Sequence, residues 1–208
     1  MSLFERISDP NPKTESSPML VLLHGLGSDE RDLLGLAAEF DRSLRVVSLR
    51  APYRYGGGGF AWFSIEWLAD GIRVDMDQLK SSRDLILEHL VELKEEYKPS
   101  HFVLGGFSQG AIMSLACLLA KPEEFDGVIL FSGRYIPDLF KDVPSAIVGK
   151  PVLVQHGTQD PVLPVSGSHE IRDELRKLGA KVEYLEYPMG HTISGQSIVD
   201  ARSWLERN

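Results

Sequence analysis

The sequence is poor in the features that mark disulfide-bonded, secreted and membrane-spanning proteins. Its 208 residues include one cysteine, Cys117, which cannot form an internal disulfide. No stretch approaches the roughly 18 apolar residues that a membrane-spanning helix needs. The first ten residues lack the basic segment and apolar run of a signal peptide. We therefore expect a cytoplasmic protein without integral membrane association.

Positive charge and metal-binding patterns are scarce as well. The chain has 22 Lys and Arg against 30 Asp and Glu, a formal net charge of −8. This balance disfavours nucleic acid and anionic membranes as partners, because both attract basic surfaces. The six histidines form no cluster with metal-ligand spacing. We expect no metal and no cofactor, a small-molecule partner, and a monomer or weak homodimer.

Hydrophobic residues are plentiful, at 43% of the chain, which is enough for one core. Short, mostly continuous apolar runs alternate with helical patterns, as expected for strands buried on both faces of a parallel sheet. The expected strands cover residues 19–24, 45–49, 101–107, 127–131, 151–156 and 181–187. The expected helices cover residues 30–40, 74–97, 109–119, 166–178 and 195–205. The pattern predicts an α/β fold with a doubly wound, mostly parallel sheet, whose ligands bind beyond the carboxyl ends of the strands.

The chain is expected to form one domain without a cap. Residues 1–18 are mostly polar and are expected to be an extended N-terminal leader, and residues 19–208 to form the domain. Only residues 133–150 separate two of the expected strands at the place where a lid is commonly inserted. This segment is too short for a separate cap domain.

A glycine-flanked serine is the most informative motif of the chain: Gly106-Phe107-Ser108-Gln109-Gly110. It lies between an apolar run typical of a strand and an apolar run typical of a buried helix. Glycines two residues on either side of a serine allow a sharp strand-to-helix turn that lifts the hydroxyl toward a substrate. The motif predicts that Ser108 is a nucleophile.

A serine nucleophile needs a base to take its proton and a carboxylate to orient that base. In hydrolases of this architecture the order along the chain is serine, acid, histidine. Asp160 lies in the turn after the strand at 151–156, and His191 follows the strand at 181–187. We expect Ser108, Asp160 and His191 to form a catalytic triad. Asp138, after the strand at 127–131, is the alternative acid.

Two further groups of residues are candidates for substrate contact. The backbone N–H groups of Leu26 and Gln109 are expected to form an oxyanion hole, since Gln109 begins a helix and Leu26 lies between two glycines after a strand. Residues 50–63 combine a four-glycine run with aromatic residues. They are either a flexible surface loop or a mobile wall of an acyl pocket lined by Trp62 and Phe63.

The chain resembles the phospholipase/carboxylesterase family of α/β-hydrolases, which includes acyl-protein thioesterases and small bacterial esterases. The motifs that carry the resemblance are His24-Gly-Leu-Gly-Ser-Asp-Glu-Arg-Asp-Leu-Leu34, Arg50-Ala-Pro52, Trp62-Phe63, Gly105-Gly-Phe-Ser-Gln-Gly-Ala111, His156-Gly-Thr-Gln-Asp-Pro161 and Tyr187-Pro-Met-Gly-His191. The resemblance implies the α/β-hydrolase fold and hydrolysis of carboxylic esters or thioesters through an acyl-enzyme. It also implies the triad and oxyanion roles named above. Ser64 departs from the thioesterase branch, where an acid usually follows the Trp-aromatic pair.

Three readings of the function follow. The first is a serine esterase or thioesterase for small to medium acyl groups, with acyl-protein thioesterase or lysophospholipase activity as an alternative within the same chemistry. The second is a binding protein that keeps the fold without turnover. The third is another enzyme on the same scaffold, such as a peptidase.

Overall fold

The computed structural model describes residues 3–11, 16–68 and 71–208. Its strands are β1 (Glu5–Ser8), β2 (Met19–Leu23), β3 (Arg45–Leu49), β4 (Tyr53–Tyr55), β5 (Gly59–Ala61), β6 (Ile65–Leu68), β7 (Gly71–Val74), β8 (Phe102–Phe107), β9 (Gly127–Phe131), β10 (Pro151–Gly157) and β11 (Lys181–Tyr187). Its α-helices are α1 (Met76–Tyr97), α2 (Gln109–Ala120), α3 (Ser166–Lys177) and α4 (Gly195–Arg207).

Seven strands form one sheet in the order β1-β3-β2-β8-β9-β10-β11. Only the edge strand β1 is antiparallel to its neighbour, and the other six are parallel. The prediction of a mostly parallel α/β sheet is therefore confirmed. All six predicted strands are present, and their ends differ from the predicted ends by no more than one residue.

Both faces of the sheet are covered, which explains the continuous apolar runs. Alternate residues of β2 point in opposite directions, so that Val21 packs in one core with α1, α2 and α3. Leu22 packs in a second core on the other face, together with Trp204 of α4. Helices on both faces of a parallel sheet define the doubly wound architecture.

The predicted helix at 30–40 is instead a 3₁₀ segment, Leu33–Glu39. It includes Gly35 and buries only Leu33, so it offers little apolar surface to stabilise a longer α-helix. The other four predicted helices are present, each with ends within two residues of those predicted.

The N-terminal segment contributes to the sheet. Within the expected leader, residues 1–2 and 12–15 lie outside the described residues, but Glu5–Ser8 pair with β3 and Leu3 is buried. This edge strand has four residues, of which only Ile7 is aliphatic. Its hydrophobic pattern is too short to predict a strand from the sequence.

Two antiparallel ribbons, β4–β5 and β6–β7, follow β3 and lie outside the main sheet. Between β9 and β10 the chain has no α-helix or strand, only the 3₁₀ turns Pro137–Phe140 and Ser145–Ile147. The fold is a single α/β-hydrolase domain, and this connection carries no cap.

Candidate active site

Ser108 stands at a strained turn between β8 and α2. Its backbone has φ 55° and ψ −115°, a conformation that a residue with a side chain rarely adopts. A Cβ added to Gly106 would lie 2.3 Å from the carbonyl oxygen of Gly110, and one added to Gly110 would lie 1.9 Å from that of Leu23. Both glycines are therefore needed for the turn, and the turn places the Ser108 hydroxyl in the cavity described below.

The structure brings Ser108, His191 and Asp160 into one hydrogen-bonded chain. His191 Nε2 lies 2.8 Å from Ser108 Oγ, and His191 Nδ1 lies 2.6 Å from Asp160 Oδ2. The three residues come from the ends of β8, β10 and β11, which are brought to the same edge of the sheet. An added Cβ at Gly157 would lie 2.3 Å from the Met189 carbonyl oxygen, so this glycine allows the Asp160 and His191 loops to touch.

Asp160 is held as a buried carboxylate. Its side chain is 0% exposed, and its Oδ1 accepts hydrogen bonds from the N–H groups of Val162 and Leu163 at 2.8 and 2.9 Å. Burial by itself would raise the pKa of this carboxyl. The hydrogen bonds from His191, Leu163 and Val162 outweigh burial, and the pKa of Asp160 is lowered. The carboxylate is thus available to orient His191 at neutral pH.

The alternative acid, Asp138, lies elsewhere. Its carboxylate is 56% exposed and pairs with Lys141 at 2.5 Å, which lowers the pKa of Asp138. Its surroundings are the surface beside α1 and the end of α2. The structure does not bring Asp138 to His191.

A second histidine, His156, supports the Asp160 turn. It is fully buried, its Nε2–H donates to the Leu163 carbonyl at 2.8 Å, and the same nitrogen lies 3.3 Å from Asp160 Oδ2. Burial lowers the pKa of His156, so the ring is neutral. Sequence reasoning placed His156 at the end of a strand and assigned it no role in the turn. Its position four residues before Asp160 is the signal that could have suggested one.

The expected oxyanion groups border the same cavity. Leu26 and Gln109 both line it beside Ser108, and within the described chain neither backbone N–H has a hydrogen-bond acceptor. The side-chain amide of Gln109 is engaged elsewhere. It accepts from the Trp62 N–H at 2.7 Å and donates to the Phe63 carbonyl at 2.8 Å.

The structure does not place Trp62 and Phe63 on the cavity wall. Both side chains are 0% exposed and belong to the core beneath the cavity. Trp62 Nε1–H donates to the His24 carbonyl at 3.0 Å, and the Trp62 carbonyl accepts from Ser82 Oγ–H at 2.5 Å. Large apolar side chains are stabilised by burial, and these two pack in the core. The expected lining role is therefore not seen in the structure.

The cavity beside Ser108 has a volume of about 240 Å³ and a mostly apolar lining. Its lining residues are Gly25, Leu26, Ser28, Asp32, Ile65, Ile72, Phe107, Ser108, Gln109, Ile112, Val162, Leu163 and His191. Ile65 and Ile72 come from the ribbon β6–β7, which sequence reasoning did not identify. The alternation Ile72-Arg73-Val74 is a weak strand signal that could have indicated β7.

The four-glycine run forms the end of the ribbon β4–β5. Gly57 and Gly58 have φ of 72° and 96°, and Gly59 approaches the loop after β2 so closely that an added Cβ would lie 1.9 Å from the Gly27 carbonyl oxygen. Three of the four glycines thus have a steric reason for their position. The run forms a tight turn that joins β4 to β5.

Two classes of site have no support in the described residues. In the ranges 3–11, 16–68 and 71–208, no group of three or more His, Cys, Asp or Glu side chains is arranged to hold a metal ion. None of the helices in those same ranges has the length and apolar character that crossing a membrane requires.

The fold and the site geometry define an α/β-hydrolase. More narrowly, the chain belongs to the phospholipase/carboxylesterase family, whose model matches residues 7–208. Acyl-protein thioesterase 1 of Kluyveromyces lactis is 29% identical to it, over 91% of this chain and 91% of that protein. Among solved structures, esterase PE8 has a TM-score of 0.87 at 29% identity and covers 100% of this chain and 99% of its own. The Bacillus cereus carboxylesterase has a TM-score of 0.84 at 28% identity, with coverage of 99% and 94%.

Proposed function

We propose that this protein is a serine hydrolase that cleaves carboxylic esters or thioesters of small to medium acyl groups through an acyl-enzyme. The observation that carries the proposal is the hydrogen-bonded chain from Ser108 Oγ through His191 to Asp160, set at a strained elbow on the cavity. The similar proteins named above, a thioesterase and two esterases, support the same reaction class.

In the first half-reaction, His191 Nε2 takes the proton of Ser108 as Oγ attacks the substrate carbonyl. Asp160 holds the Nδ1–H tautomer of His191 and stabilises the imidazolium that forms. The N–H groups of Leu26 and Gln109 donate to the oxygen that becomes negative in the tetrahedral intermediate, and the dipole of α2 adds to this stabilisation. His191 then protonates the departing alcohol or thiol.

In the second half-reaction, His191 activates a water molecule that attacks the acyl-enzyme and regenerates the Ser108 hydroxyl. The water supplies the oxygen of the released carboxylic acid, and the proton transfers use His191 of this chain. No proton has to be stored elsewhere, because the proton taken by His191 is returned in the same half-reaction.

The cavity supports the choice of substrate size. At about 240 Å³ it is smaller than the roughly 300 to 1,000 Å³ of pockets for drug-sized ligands. Its walls are mostly apolar, which suits a hydrocarbon acyl chain. We propose best turnover on soluble esters of about two to eight acyl carbons, with no increase in rate at a lipid surface because the connection between β9 and β10 carries no lid.

The test is the substitution Ser108→Ala. We expect hydrolysis of p-nitrophenyl acetate to fall by about a million-fold, as for the nucleophile of a serine protease, with an unchanged circular dichroism spectrum. Fluorophosphonate should label the wild-type protein once, and tandem mass spectrometry should place the adduct on Ser108. The matched control is Ser114→Ala in α2, the helix that follows Ser108, where the buried hydroxyl donates to the Gly110 carbonyl within the helix.

Retention of more than a tenth of the wild-type rate by Ser108→Ala would refute the nucleophile. A correctly folded wild-type protein without turnover on any oxygen ester or thioester would favour the non-catalytic reading. The ratio of rates on matched oxygen ester and thioester substrates would then separate esterase from thioesterase activity.

A further inference from the structure

The loop that carries Leu26 forms hydrogen bonds at both of its ends with the residues that follow β3. At its start, His24 is fully buried and its Nε2 accepts the Ala51 N–H at 3.1 Å. At its other end, Glu30 receives the guanidinium of Arg50, with Nε and Nη2 at 2.5 and 2.8 Å from the two carboxylate oxygens. Adjacent residues, Arg50 and Ala51, therefore hold both ends of the segment from His24 to Glu30.

Glu30 is a buried charge that the proposed reaction does not use. Its side chain is 0% exposed, and besides Arg50 it has a longer contact of 3.4 Å from Arg6 Nε. The hydrogen bond from Arg50 keeps the pKa of Glu30 low in spite of burial. A bidentate guanidinium–carboxylate pair fixes both distance and orientation, which a single hydrogen bond does not.

Arg50 is itself fixed by two aromatic rings. Its guanidinium lies 4.2 Å from the ring centre of Phe4 and 4.6 Å from that of Phe60, and its backbone N–H donates to the Phe4 carbonyl at 2.8 Å. Phe60 also forms two backbone hydrogen bonds with the Leu26 loop. The Gly27 N–H donates to the Phe60 carbonyl at 2.8 Å, and the Phe60 N–H donates to the Ser28 carbonyl at 2.9 Å. We call Phe4, Arg6, Glu30, Arg50 and Phe60 the Arg50 cluster.

We propose that Glu30 and Arg50 are positioning residues for catalysis, and that the Arg50 cluster holds the Leu26 N–H in the oxyanion hole. The inference rests on the proposed function, because it needs Leu26 to serve the oxyanion. The segment from Gly25 to Glu30 has no helix and only one β-bridge, Ser28 to Phe60. The hydrogen bonds after Ser28, such as Ser28 Oγ–H to Asp32 and the Asp32 N–H to the Asp29 carbonyl, stay within the loop, whereas the buried ion pair joins the loop to the residues that follow β3.

The substitution Glu30→Gln tests the proposal, because it keeps the shape of the side chain and removes its charge. We expect kcat for p-nitrophenyl acetate to fall at least tenfold, with KM within threefold of wild type, because an oxyanion donor acts mainly in the transition state. The inhibition constant of a trifluoromethyl ketone, which forms an oxyanion on the serine, should weaken by the same factor. Arg50→Lys keeps the charge without the bidentate geometry and should show a smaller loss of the same kind.

Two controls separate positioning from stability. Arg31→Gln removes an exposed ion pair with Asp29, one residue from Glu30, and should leave kcat and the inhibition constant within twofold of wild type. Active-site titration gives the folded, competent fraction of each variant, so that kcat refers to competent enzyme. If Glu30→Gln does not fold, Phe4→Ala takes its place, since Phe4 is 51% exposed and its ring can be removed without opening the core. We expect a severalfold loss of kcat for Phe4→Ala.

Wild-type-like kcat and inhibitor affinity in folded Glu30→Gln and Arg50→Lys would overturn this inference while leaving the proposed function intact. So would a loss of rate that follows only the competent fraction. An inactive wild-type protein, or an active Ser108→Ala variant, would instead refute the proposed function, and the inference would fall with it.

Discussion

The cavity has two kinds of wall, and the sequence specifies them differently. Ser108, Asp160 and His191 stand at the carboxyl ends of β8, β10 and β11, where the parallel sheet fixes their spacing. Other parts of the wall come from the loop after β2, against which the ribbon β4–β5 packs, and from Ile65 and Ile72 of the ribbon β6–β7; both ribbons lie outside that sheet. The first wall follows from local patterns of glycine and aliphatic residues. The second depends on contacts between segments that are distant in sequence, such as Gly59 against Gly27.

The largest effect is expected on the sheet side, from Asp160→Asn. The amide would favour the wrong tautomer of His191, so we expect kcat to fall by about ten-thousand-fold at pH 7.5, as for the same change in a serine protease. Asp138→Asn is the matched control and should change kcat less than twofold, because Asp138 is exposed and its carboxylate pairs with Lys141 at the surface. Steady-state kinetics of both variants decide between the two acids, and a reversal of the two results would transfer the role to Asp138.

The fold and the hydrogen-bonded arrangement of Ser108, His191 and Asp160 could be predicted because their signals are short-range. The six parallel strands are buried on both faces and appear in the sequence as aliphatic runs. The elbow glycines stand within two residues of Ser108, so their pattern can be recognised locally, although Gly110 also avoids a contact with the distant Leu23 carbonyl. The acid could be chosen over Asp138 only by its tighter turn, and the two N–H groups from Val162 and Leu163 explain that choice.

The parts that could not be predicted depend on tertiary contacts. Whether Trp62 faces the cavity or the core is decided by the amide of Gln109, 47 residues away, and by the carbonyl of His24. Glycine runs are ambiguous in the same way, since one run can be a hinge or a tight turn. The edge strand β1 is recognisable only from its pairing with β3.

The four-glycine run at the end of the ribbon β4–β5 gives the second test of the difference between the sheet and the ribbons. Gly59→Ala would place a methyl group 1.9 Å from the Gly27 carbonyl oxygen, so the two segments would have to move apart. We expect a loss of about 1 to 3 kcal/mol in the free energy of unfolding and, because Gly27 follows Leu26, a clear fall in kcat. Gly56→Ala has open space around the new methyl and should be neutral or slightly stabilising. Urea denaturation and steady-state kinetics measure both effects. Equal, small effects of the two substitutions would support a flexible hinge instead.

The ribbon β6–β7 can be tested through chain-length preference. Ile72→Ala removes part of the apolar wall and so enlarges the cavity. We therefore expect the ratio of kcat/KM for p-nitrophenyl octanoate to that for the acetate to rise by about tenfold. Arg73→Ala, the next residue on the same strand, pairs with Glu66 at the surface and should leave this ratio unchanged. A ratio that does not respond to Ile72→Ala would mean that the acyl chain binds elsewhere.

The smallest expected effect concerns β1, the peripheral strand that sequence reasoning treated as a leader. Glu5 of β1 bonds to His89 of α1 at 2.8 Å, and this hydrogen bond, with a further contribution from Glu92, raises the pKa of His89 despite burial of the ring. A raised folded-state pKa means that protonation favours the folded form. The stabilisation is complete below the unfolded pKa of about 6.5 and is lost as pH rises through the higher folded value.

His89→Gln should therefore cost more stability at pH 6 than at pH 9. Urea denaturation of the variant and the wild type at the two pH values measures this difference. Glu5→Gln removes the partner charge and should show the same trend, because the pKa of His89 would then lose its main cause of elevation. If the cost of His89→Gln were equal at the two pH values, β1 would be attached to α1 by packing alone, without the ionic link that the Glu5–His89 contact indicates.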